Sequence, residues 1–96
     1  MLEPMSPRIG RVGEGEAMLT EYIRAAMQRA EYEKLEGGTY YGEIPGLQGV
    51  YADGKKLEQC REELQSALED WILFGLANGF SIPPIEGIDL NGVKVA

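Results

Sequence analysis

The side chains that could do chemistry here are carboxylates, tyrosines and one thiol. The chain has sixteen acidic and nine basic residues, five tyrosines, a single cysteine and no histidine. Lack of histidine removes the commonest acid–base residue and the commonest metal ligand together. Carboxylates are the hard oxygen ligands Mg²⁺ prefers, and Glu43, Asp53 and Asp70 are the set that could gather around such an ion. Two of them on strands and one on a helix would resemble a metal-dependent nuclease or hydrolase site. The plainer reading is favoured: they are solvated surface acids among sixteen. Cys60 lies on the apolar stripe of a helix, where a buried, inert thiol is expected, and no histidine is available to activate it. One cysteine also leaves no internal disulfide and no thiolate metal cluster. Gly37-Gly38 and Gly46-x-x-Gly49 are too short for a phosphate-cradling loop, and turn geometry accounts for them. Tyr40, Tyr41 and Tyr51 would suit base stacking, but no basic residue lies between Lys34 and Lys55. Core packing or a protein interface suits them better. Neither catalysis, nor a cofactor, nor a metal is expected.

Charge narrows the partners. The net charge is −7 and the pI about 4.5, a surface that repels phosphate backbones and argues against direct DNA or RNA binding. A basic protein is the better partner, since complementary fields speed encounter and select the right mate. The alternative is that the charge only keeps a small protein in solution. At 96 residues and 10.6 kDa the chain makes one domain. No apolar run approaches the roughly 20 residues of a membrane-spanning helix, and the first residues hold no apolar signal block. A cytoplasmic location, with no membrane contact, is the resulting expectation.

The elements that must position these residues follow from hydropathy patterning. Residues 1–17, with two prolines and three glycines, read as a mobile tail ahead of a single domain over 18–96, and Met18 is a second candidate start. Leu19, Tyr22, Ile23, Ala26, Met27 and Ala30 have helical spacing, which predicts a helix over about 19–30. Ala30 to Glu36 is a weak strand ending at the Gly37-Gly38 turn. Thr39 to Ile44 is a clearer strand, with Tyr40, Gly42 and Ile44 on one face and Tyr41 and Glu43 on the other. Pro45-Gly46 ends it, and Gly49 to Asp53 gives a third strand. Short runs with tight links predict an antiparallel meander. The strongest stripe, Leu57, Cys60, Leu64, Ala67, Leu68, Trp71, Ile72 and Gly75, predicts a long helix stopping at Asn78-Gly79. Lys56 is a poor N-cap, so Asp53 or solvent is expected to cap that helix. Leu73 and Phe74 fall off the stripe and are assigned to self-association. Ile82-Pro83-Pro84-Ile85 must be extended. Ile88 to Leu90, or Val93 to Val95, then offers a short fourth strand, parallel to an earlier one through a right-handed crossover. The predicted class is α+β: a three-stranded antiparallel meander plus a short fourth strand, packed on one long helix, with an extra N-terminal helix.

The run Gly38-Thr39-Tyr40-Tyr41-Gly42-Glu43-Ile44-Pro45-Gly46-Leu47-Gln48-Gly49-Val50-Tyr51-Ala52-Asp53-Gly54, followed by Leu57-Glu58 and an amphipathic helix, resembles the HicB-like antitoxin family. The likeness spans about residues 31–76. Many such antitoxins carry a C-terminal DNA-binding module; the 18 residues after Asn78 hold two adjacent prolines and no helical stripe, so this chain resembles the stand-alone form. The resemblance implies a truncated RNase H-like sheet without its catalytic carboxylates. It also implies a partner, a small basic HicA-like toxin that cuts RNA, neutralised by covering its active site. Tyr41, Glu43, Leu47 and Asp53 are the expected partner-binding residues. A homodimer or homotetramer is expected. The alternatives are the metal-dependent enzyme above and an orphan structural or regulatory domain with no toxin.

Overall fold

Cys60, Leu64, Leu68, Ile72 and Gly75 recur every three or four residues, and all five are buried along one side of a helix that runs Leu57–Ala77. The computed structural model containing it describes residues 5–91, with side chains from residue 17 onward. In chain order the elements are α1 (Met5–Gln28), β1 (Glu31–Lys34), β2 (Tyr40–Glu43), β3 (Tyr51–Gly54) and α2 (Leu57–Ala77). The strands form one antiparallel sheet in the order β1-β2-β3, as the meander predicted.

Both ends of α2 have local explanations. Lys56 sits at the N-cap in extended conformation with no side-chain cap. Gln59 reaches back past it, its Oε1 accepting the Lys55 N–H at 2.9 Å. Asp53 is not that cap, since no side chain caps the start of α2. At the other end Gly79 takes φ +73°, and the Phe80 N–H donates to Gly75 O at 2.8 Å. This is a Schellman stop that only a left-handed residue permits. The Asn78 amide adds a bond to Phe74 O at 2.7 Å.

The sheet face beneath α2 carries Gly42, Ala52 and Gly54, so the helix comes very close. A Cβ on Gly54 would lie 2.6 Å from the backbone nitrogen of Cys60. Bulkier core side chains are therefore displaced to one end of the domain. There Ile44 and Val50 meet Leu68 and Ile72 of α2, Tyr22 and Ala26 of α1, and Ile82, Ile85 and Leu90 of the last segment. The Tyr22 hydroxyl donates to Pro83 O at 2.5 Å, tying α1 to the chain beyond α2.

Two expectations are corrected at the chain's ends. The helix α1 begins at Met5 rather than near residue 19, so most of the segment read as a tail is helical. Pro7 falls in the first turn, where a missing N–H is tolerated. The glycines that follow weaken a helix without breaking it, and α1 is anchored further along by buried Tyr22, Ala25 and Ala26. Residues 1–4 lie outside the described residues. The fourth strand is the second correction, since Ile88 to Leu90 forms none. Ile85 and Ile88 exchange backbone bonds at 3.1 and 2.8 Å across a two-residue turn, Glu86 and Gly87 at φ +50° and +81°. The Asn91 amide then pairs with the N–H and C=O of Ile82 at 2.9 and 3.0 Å. Ile82, Ile85 and Ile88 thus use their backbone groups locally rather than in the sheet. Val93 to Val95 lies outside the described residues.

Two measurements check this packing. Urea denaturation of Gly54→Ala should show a loss of roughly 2–3 kcal/mol, because backbone must move to admit the methyl. Burial pushes the Tyr22 phenol up to about 12, above its unfolded value of about 10. Its contribution to stability is thus complete below pH 10 and is lost as pH rises towards 12. Tyr22→Phe should flatten that alkaline decline in thermal melts.

Candidate functional site

Strand pairing places residues in rows across the sheet. One row is Glu33, Tyr41 and Asp53, and the next is Glu31, Glu43 and Tyr51. Side chains alternate along a strand, so these six lie opposite Gly42 and Ala52 and face away from α2. Four of the six are carboxylates and two are tyrosines; none is basic. The helices pack on the other side, leaving this face open.

Its centre is organised. The Tyr41 hydroxyl donates to Glu43 Oε1 at 3.1 Å. The Tyr41 and Tyr51 rings stack with centroids 6.3 Å apart and 28° between planes. Partial burial raises the Tyr41 phenol above its ordinary range, and the bond to Glu43, then that carboxylate's charge, raise it further. Tyr51 stands 60% exposed, presenting its ring edge and hydroxyl to whatever approaches. A surface of this kind attracts cations and stacks on planar guanidinium groups.

Of the expected partner-binding residues, the structure brings Tyr41, Glu43 and Asp53 together on this face. Leu47 is a correction, for it is only 4% exposed and belongs to the core. The Leu47 N–H donates to Ile44 O and the Val50 N–H to Leu47 O, at 3.1 and 3.3 Å. These two turns point Ile44, Leu47 and Val50 inward together. The spacing of three in Ile44-x-x-Leu47-x-x-Val50 was the overlooked signal. Glu31, Glu33 and Tyr51 were missed as members of the face. The centring of the first hairpin on Gly37-Gly38 places the two glutamates, and alternation from Asp53 places Tyr51.

The acids of the metal-site alternative do not converge. Glu43 and Asp53 share the open face, whereas Asp70 is exposed on α2, the helix packed behind the sheet. Among the described residues no three His, Cys, Asp or Glu side chains gather closely enough to hold a metal ion. Cys60 is fully buried, its Sγ 3.7 Å from Ala52 O. Burial first, and Asp53 second, push its thiol up from the usual value, which disfavours the nucleophilic thiolate. Leu73 and Phe74 are both exposed, and Phe74 meets Phe80 edge-on at 5.6 Å. Among the described residues no helix is long and apolar enough to cross a membrane.

A three-stranded antiparallel meander backed by a single long helix, with its free face acidic and aromatic, makes a small α+β domain. The UPF0150-like family matches residues 21–83, and the chain belongs to that family. It is similar to a solved structure, that of TTHA0281 from Thermus thermophilus, at 45% sequence identity and a TM-score of 0.72. The likeness covers 82% of this chain and 95% of that one. No curated protein matches the chain.

The Tyr41–Glu43 pair can be read by NMR titration. Glu43→Gln removes a charge that opposes phenol ionisation, so the Tyr41 transition should move to lower pH while that of Tyr22 stays in place.

Proposed function

We propose that this protein is an antitoxin-type binding protein that neutralises a small, basic, HicA-like RNA-cleaving toxin by covering its active site. The observation that carries the proposal is the open sheet face, on which Glu31, Glu33, Glu43 and Asp53 surround two stacked tyrosines with no basic side chain among them. A toxin that grips RNA does so with lysines and arginines. Carboxylates compete with phosphates for those same groups through charge-assisted hydrogen bonds. Tyr41 and Tyr51 supply what charge alone lacks, broad apolar rings with few rotamers to freeze. Kinship between the UPF0150-like family and HicB-like toxin–antitoxin domains supports this reading. The blockade needs no chemistry from this chain. Leu73 and Phe74, extended by Phe80, form the surface through which copies of the chain join in a homodimer or homotetramer.

Co-expression with the product of the adjacent reading frame, expected to be a small basic protein, tests the proposal. The two should co-purify, and RNA cleavage by the partner should cease. The triple variant Glu33→Lys, Glu43→Lys, Asp53→Lys should fold, since all three sites are exposed, yet bind on the order of a hundredfold more weakly. Failure to co-purify, or full affinity in the folded triple variant, overturns the proposal.

A further inference from the structure

Ladder parity decides which backbone groups of β3 are engaged. The Leu35 N–H donates to Thr39 O at 2.7 Å, closing the β1–β2 turn as a bonded pair. Bonded and unbonded pairs alternate along an antiparallel ladder, so Glu33↔Tyr41 and Glu31↔Glu43 are the bonded pairs between β1 and β2. Tyr41 and Glu43 thus turn their backbone groups to β1, and Tyr40 and Gly42 turn theirs to β3. The partners of those two, Gly54 and Ala52, complete that ladder. Tyr51 and Asp53 are left with N–H and C=O directed out of the sheet's edge. Among the described residues no backbone or side-chain group takes them.

Natural edges are usually blunted by proline, bulges or clustered charge. The strand β3 has no proline, pairs without a bulge and carries one charge, Asp53. Beside it runs an open trough of about 550 Å³, floored by Ala52 and Gly54 and walled by Gln59, Glu63 and Ala67 of α2. Nothing in the described fold obstructs another strand there.

We infer that β3 pairs antiparallel with β3 of a second copy, about a two-fold axis at Ala52, making one continuous six-stranded sheet. The second copy is the occupant because the strand already matches itself. Centred on Ala52, Tyr51 of each copy opposes Asp53 of the other, and each such pair exchanges two backbone bonds. Every outward group on both edges is then satisfied. Ala52 meets Ala52 in the close, unbonded position, where Cα atoms stand about 4.5 Å apart and a methyl fits. Each Asp53 carboxylate lies beside a phenol. Centring on Asp53 would set two carboxylates directly opposite, which destabilises a sheet. Centring on Tyr51 would run Asp53 into Gly49, whose φ of +94° has left the strand. The inference is independent of the toxin reading and of the Leu73–Phe74 surface.

Sedimentation of the full chain in a Phe74→Glu background, where the helix surface cannot contribute, gives the test. That protein should run as a dimer at micromolar concentration. Adding Asp53→Pro should make it a folded monomer, because the lost N–H points outward and the internal ladder is untouched. Hydrogen exchange on the unaltered chain supplies a reading that does not depend on the proline variant folding. The Tyr51 and Asp53 amides should be protected at high concentration and lose roughly tenfold or more of that protection on dilution. A monomeric Phe74→Glu protein, a folded proline variant that remains dimeric, or free exchange at both amides in concentrated protein would overturn the inference.

Discussion

The close seat of α2 on the sheet is the constraint from which the rest follows. Gly42, Ala52 and Gly54 bring helix and strands close, with only the Tyr32 ring and the Cys60 thiol beside Gly42, and Gly54 touches the helix backbone itself. A domain built this way has little room in its middle for further large residues. It gathers them at one end, where the β2–β3 link, the last segment and α1 converge. The opposite consequence falls on the other face of the sheet. With α2 serving one side and α1 packed against α2, no element among the described residues covers the second side, and its residues are those that tolerate water.

That face bears on the functional readings. Metal-assisted catalysis by carboxylates needs them aimed at a common point. Here they are spread over a pleated surface, and the third acid of the proposed set stands on a different element. What the arrangement does well is present separated negative charges around a stacked aromatic pair. A surface of this kind suits the broad cationic patch that the proposed partner would bring.

The features that could be read from the sequence were those whose signal is local. The apolar stripe of α2 and its Asn78-Gly79 stop depend on residues within a few positions of one another, and both stand where periodicity put them. Tyr41 with Glu43, and Tyr51 with Asp53, share a face because alternation in a strand needs no knowledge of its neighbours. That the two pairs share one face with Glu31 and Glu33 follows only from register, which is a relation between strands. Leu47 was misplaced because a Pro-Gly link suggests an exposed loop, whereas two successive turns fold this one inward. The missing fourth strand has a similar cause. Ile88 to Leu90 has the composition of a strand, but Asn91 reaches back to Ile82 and takes the bonds a sheet would have used. The early start of α1 owed more to anchoring further along the helix than to the residues of its first turns.

The crowding of like charge on the open face also bears on how long the free chain stays folded. Glu31, Glu33, Glu43 and Asp53 repel one another across neighbouring strands, within a molecule whose net charge is already −7. Such self-repulsion works against the compact state, and counter-ions relieve it. A ligand bearing cations relieves it far more, and binding to the native form alone adds stability by mass action. A cationic mate of the kind proposed would therefore leave the solitary protein the more perishable of the two forms.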